Sequence, residues 1–348
     1  MICFPWSAVA VFIYIYALVL TYSLSRTHPR WKCLYSGRTC TITIVVATVL
    51  IVLYGFVGFH RTWFYYVIML ALLSTMGLSL IDDLWHIRQR RPAMTLAHLS
   101  VFIVLAAGLF GSGDKRSAYL DAHLGSPVSE AVDVDGRAVH LPFALTLDSF
   151  TIDHYPPKVM LSGGESPEGL DIDREGATAV LDGWHLTVLE TYDMAMPQGG
   201  VFREINHVGA EPAALVRAED PGSGQSVEGW ISCGSFLFDP ARLSLPDGRQ
   251  LYMPQPMPKK YESKVRATDV KGRDYVFDIA VNHPARIGSW RIYQADYDTE
   301  RGRWSTLSVL QCVYDPWFPV IRIGLWMVLA AALLMFVTAG AGKKRAER

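Results

Sequence analysis

The chain is 348 residues long, 51% hydrophobic and nearly neutral, with a formal net charge of −1. That balance argues for no polyanionic partner, and the lack of a basic patch outside the apolar runs argues against nucleic-acid binding. The hydrophobic residues are gathered into runs of membrane-spanning length, which excludes an ordinary soluble protein.

These runs occupy about 5–24, 41–59, 63–81, 94–111 and 318–341. The pattern predicts an integral membrane protein of about five transmembrane α-helices, with one mostly-β extracytoplasmic domain inserted before the last helix. The expected divisions are a four-span region over 1–111, the β-rich domain over 112–316, a final helix over 317–341 and a basic tail over 342–348. The first run has no basic segment before it and no small-x-small cleavage site after it, so it reads as a retained span rather than a signal peptide. Arg26, Arg30, Lys32 and Arg38 follow the first run, and Arg88, Arg90 and Arg91 follow the third. Lys343, Lys344, Arg345 and Arg348 end the chain. The positive-inside rule puts all three groups in the cytoplasm, and the N-terminus and large domain outside, across a cytoplasmic (inner) membrane. Trp6, Tyr22, Trp63 and Trp317 fall at span ends, where interfacial aromatics are expected.

The fourth run, PAMTLAHLSVFIVLAAGLFG, carries one titratable residue, His98. Hydrocarbon penalises ionisable side chains, so one inside a span marks a functional site by default. His98 lies six residues past Pro92, roughly 9 Å along a helix at 1.5 Å per residue. An imidazole there suits a metal centre such as haem iron; the alternative is an interhelical hydrogen bond to a Ser, Thr or carbonyl group, which would make His98 packing glue.

The long polar stretch reads as strands. PFALTLDSFTID alternates Phe143, Leu145 and Leu147 with more polar residues, and GWHLTVLETY, RDYVFDIAV and STLSVLQCVY repeat the theme between Gly-, Pro- and Asp-rich turns. An antiparallel sandwich or barrel-like domain is expected. It shows no catalytic constellation. Asp171 and Asp173 lack EF-hand spacing, and GSGDK after residue 110 is too short for a phosphate loop. Trp290, Ile292 and Tyr293 fit a strand packing into the core. Cys233 and Cys312 lie in this domain, where a disulfide and two buried thiols are both chemically open. No CxxC occurs.

Four segments together resemble the ResB (CcsB) family of System II cytochrome c biogenesis, in its compact, Bacteroidetes-like form. They are LAHLSVFIVLAAGLFG, LPFALTLDSFTIDHYPP, EGWISCGSF and the C-terminal succession from VNHPARIGSWRIYQADYD to VYDPWFPVIRIG. The resemblance implies partnership with a CcsA/ResC-type protein that carries a WWD segment, a motif absent here. It further implies haem b shared with that partner, apocytochrome c as client, and a thioredoxin-like thiol reductant nearby. By this resemblance His98 is a haem axial ligand and the chain an accessory subunit of a cytochrome c haem lyase complex, with no catalytic residue of its own. Any metal contact then runs through haem iron at His98. Two lesser candidates for haem contact are His60, at the outer mouth of the second span, and Arg322, just inside the outer end of the last. Each has a plain alternative, an interfacial histidine and a snorkelling arginine. His86, beside Trp85 and Arg88, could meet haem propionates, although its basic surroundings are already accounted for as a topology signal. The competing class is a membrane-anchored envelope scaffold that binds no haem.

Overall fold

The computed structural model describes residues 4–57, 63–88, 92–163 and 169–346. The chain divides into two compact units, Met1–Arg116 with Tyr314–Arg348, and Ser117–Val313.

The first unit is helical: α1 (Trp6–Thr27), α2 (Gly37–Val57), α3 (Trp63–Trp85), α4 (Pro92–Gly111) and α5 (Phe318–Ala346), with a 3-10 segment Pro29–Tyr35 between α1 and α2. Four of the helices are long and apolar enough to cross a membrane, while α2 is apolar over Gly37–Leu53. Such a set marks a multi-pass membrane protein. Their exposed faces are rich in Phe, Ile, Val and Leu, as lipid-facing surfaces are. α4 begins on Pro92, where the missing N–H costs nothing. α5 begins behind Asp315, whose Oδ1 accepts from the Trp317 and Phe318 amides at 3.2 and 2.9 Å, satisfying donors that a helix start leaves open.

Small residues let α4 and α5 approach closely. A Cβ on Gly324 would sit 2.6 Å from Val104, and one on Gly111 would sit 2.5 Å from the Trp317 ring. Leu18, Tyr22, Leu73, Leu78 and Phe102 form a core shared by α1, α3 and α4. Between the starts of α1 and α5 and the end of α4 lies a buried acid. Asp114, only 2% exposed, accepts from the Phe4 amide at 2.6 Å, the Ser7 hydroxyl at 2.5 Å and the Trp317 indole at 2.7 Å. Trp317 and Tyr22 are therefore buried hydrogen-bond donors, not interfacial anchors; Trp6 and Trp63 are exposed as anticipated.

The second unit is antiparallel β. Among the described residues its largest sheet has eight strands in the order Asp274–Ala280, Pro258–Asp269, Ala138–His154, Pro127–Asp133, Arg116–His123, Leu307–Tyr314, Trp290–Tyr297 and Ala285–Ile287. The alternation read around Phe143, Leu145 and Leu147 is real, since all three are buried on the inner face of Ala138–His154. The sheet curls, because Ser263 on one limb hydrogen-bonds both Gln294 and Ser308 on the other. Trp290 packs edge-on against Phe143, and Ile292 is fully buried, so the WRIY strand serves the core.

A second core forms where Trp184–Gln198, Glu211–Asp220 and Gln225–Ser232 pair with flanking short strands, and a smaller sheet carries Lys158–Leu161 and Gln250–Tyr252. Cys233 lies in this second core and Cys312 in the first. Both are free thiols, and the disulfide left open by the sequence is not formed.

Candidate functional site

α3 and α4 form a helical hairpin that brings His98 against the C-terminal turn of α3. The hydropathy run ends at 81, but the helix continues to Trp85 and so carries Asp82 and Asp83 along one more turn. Consecutive residues on a helix point about 100° apart, so the two acids face different neighbours.

Asp83 turns toward α4. Its Oδ2 lies 2.6 Å from His98 Nδ1, with the Asp83 side chain 11% and the His98 side chain 34% exposed. A carboxylate can only accept, so the proton of this bond belongs to Nδ1. The partner is an acid, not the Ser, Thr or carbonyl considered from sequence. Asp82 turns toward α1 and accepts from the Tyr22 hydroxyl at 2.9 Å. His86 Nδ1 sits 3.0 Å from the Asp82 carbonyl and 3.4 Å from its carboxylate. Arg26 covers the Trp85 ring at 4.6 Å. One end of the helical unit thus collects two acids, two histidines, a tyrosine and an arginine.

One turn before His98, Thr95 is buried and its hydroxyl has no hydrogen-bond partner among the described residues. Arg322 lies exposed in the first turns of α5. His60 lies outside the described residues. A groove of about 500 Å³, lined by Tyr66, Met69, Val104, Leu105, Gly108 and Ser112 among others, opens between α3 and α4, beyond His98 toward the Gly111 end.

Among the described residues of α4, the group that could hold haem iron is His98. His98 has Nδ1 committed and Nε2 with the lone pair, and a third of its side chain is reachable from outside. Among the described residues no group of three or more His, Cys, Asp or Glu side chains could hold a bare metal ion.

In the β unit the charged groups gather at a polar cavity of about 550 Å³, lined by His154, Tyr155, Asp193, Lys259 and Arg303 among others. Arg303 lies 3.6 Å from Glu211, whose carboxyl is pushed up to about 7 by burial despite the guanidinium. Burial, and then the Arg303 charge, hold His154 below its ordinary value. Asp171 stays well exposed and makes a surface pair with Lys158 at 3.0 Å.

Residues 222–312 match the model of the ResB-like family. Over that stretch, about a quarter of the chain, the resemblance read from the sequence is shown. It covers the strand Gln225–Ser232 with Cys233 just after it, the strand Trp290–Tyr297 and the Arg303–Trp304 turn. No curated protein matches the chain. Among solved structures, the chain is similar to one described as cytochrome c heme lyase CcmF, at 9% identity and a TM-score of 0.28. That likeness covers 84% of this chain and 34% of the other, so this chain spans about a third of its length. Similarity at that score fixes neither fold nor function.

Proposed function

From the ResB-like segment at 222–312, we propose that this chain is a membrane subunit of a cytochrome c assembly system. In this reading it helps bind haem in the membrane and deliver it to exported apocytochrome c, together with a CcsA/ResC-type WWD partner. The observation that carries the proposal is His98. It is the single ionisable side chain of α4, and its Nε2 is left with the lone pair that iron requires. Haem bound there would supply the macrocycle that becomes attached to the client's CxxCH thiols. His98 would hold the iron from this chain, and a helix of the partner would supply the further ligand. Arg322 would pair with a haem carboxylate, and His60 would touch a haem propionate or serve as an outer ligand.

The basic loops set the orientation of this proposal, with the β domain and N-terminus periplasmic and the C-terminal tail cytoplasmic. An extracytoplasmic thiol reductant of thioredoxin type belongs to the same scheme, since client thiols must be reduced to react.

A second reading has an observation in its favour. The Asp83 bond already satisfies one nitrogen of His98, as an interhelical clasp in a haem-free scaffold would. The optical spectrum of the detergent-purified protein, co-expressed with its WWD neighbour, separates the two. Wild type should show Soret and α bands that His98→Ala loses while the complex stays intact. Identical spectra, or no haem in either, would leave His98 structural and favour the scaffold.

A further inference from the structure

Asp83 is 8% exposed at the end of an apolar helix, and its carboxylate lies directly against His98. The chemistry of that pair gives the acid a use beyond joining α3 to α4. Metal-binding histidines commonly give their second ring N–H to a carboxylate, which fixes the tautomer and ring orientation and makes the bound nitrogen a stronger donor. At 2.6 Å the Asp83–His98 bond is in the short range of charge-assisted hydrogen bonds.

We infer that Asp83 is a positioning residue for the His98 ligand. Its carboxylate holds the imidazole in the Nδ1–H form, presents Nε2 to the iron and, by lending negative charge to the ring, favours ferric over ferrous haem. This rests on the haem-ligand reading proposed above and adds to it the oxidation state in which the site holds its cargo. Asp82 takes no part, since its carboxylate is engaged by Tyr22 and lies beside His86 on a different face of α3.

The test compares full-length wild type with Asp83→Asn, Asp83→Ala and His98→Gln, each co-expressed with its WWD neighbour, purified in detergent as the complex and first matched for helix content and elution. The first readout needs no haem. In chain labelled with ¹⁵N-histidine, the His98 signal is the one missing from His98→Gln. It should report the Nδ1–H tautomer in wild type and in Asp83→Asn, whose amide oxygen still accepts, and the Nε2–H form in Asp83→Ala. The second readout is the midpoint potential after titration with ferric haemin. Asp83→Asn should lose about tenfold of the ferric preference, an upward move of about 59 mV for one electron. Asp83→Ala should in addition bind haemin about 10–100-fold more weakly.

An Nε2–H ring in wild type, or a potential unmoved in Asp83→Asn, overturns the inference. A wild type that takes up no haemin overturns the haem-ligand reading and the redox half of the inference with it. An Asp83-dependent tautomer would then still show that the carboxylate sets the ring, so the two failures are distinguishable.

Discussion

Replacing Asp114 by Ala removes one carboxylate that donors from both ends of the helical unit share. Hydrogen bonds to a charged group are worth about 1.5–3 kcal/mol each, so three might suggest a loss approaching 9. The structure argues for less. Phe4 is 48% exposed, so its amide can turn to water. The Trp317 indole is different. It is 8% exposed, packed on Gly111, and donates to Asp114. The expected loss is about 3–5 kcal/mol, most of it at Trp317. A double-mutant cycle with Trp317→Phe, measured by SDS-driven unfolding in mixed micelles and followed by circular dichroism, isolates that share. The packing lost with the indole cancels in the cycle, and the coupling should be about 1.5–3 kcal/mol. A coupling below about 0.5 kcal/mol would refute the claim that this carboxylate secures the start of α5.

The same assay should separate two glycines of α4. Gly111→Ala forces a Cβ to within 2.5 Å of the Trp317 ring and should cost about 1–3 kcal/mol, whereas Gly108→Ala meets open space and should be neutral or stabilising by up to about 1 kcal/mol. In the β unit, burial raises Glu211 to about 7, so the folded form holds its proton more tightly than the unfolded chain, whose ordinary value is 4.5. Its contribution to stability is full below about 4.5 and falls away as pH rises through about 7, by about 1–3 kcal/mol in all. Near-UV circular dichroism melts of the intact chain across that window should show the slope, and Glu211→Gln should flatten it. Burial also pushes the Cys233 and Cys312 thiols up to about 12, so a maleimide at neutral pH should label exposed Cys33 and spare both until the chain is unfolded. Early labelling of Cys233 would contradict the packing described for its core.

Hydropathy located the helices because apolar length is a property of the local sequence. The same logic exposed the Ala138–His154 strand, where burial of every second residue writes itself into the alternation. What escaped detection shares one cause. A hydropathy window stops at the first acid, although a helix does not, so the turn of α3 bearing Asp82 and Asp83 was read as loop. Asp114 falls by sequence in the stretch given to the β-rich domain, yet it bonds within the helical unit. Tyr22 and Trp317 read as interfacial because they stand at span ends, and nothing local reveals their partners, Asp82 and Asp114. His98 stood out as an ionisable residue in an apolar run, but its partner is fifteen positions away and becomes adjacent only through the hairpin. The doublet of acids closing a span was the available signal. Sheet order was not legible at all, since neighbours such as Arg116–His123 and Leu307–Tyr314 are distant in sequence and paired only by tertiary packing.

That last pairing has an evolutionary consequence. The strands that begin and end the β unit are neighbours in one sheet, and in the helical unit the end of α4 abuts the residue that begins α5. Each unit therefore offers its two connections side by side. An insertion with matched ends can be gained, enlarged, exchanged or lost without rerouting a single helix, because a short turn would rejoin α4 to α5. The helices keep their own closure at that point, because Asp114 and Trp317 both belong to the helical unit and bond to each other.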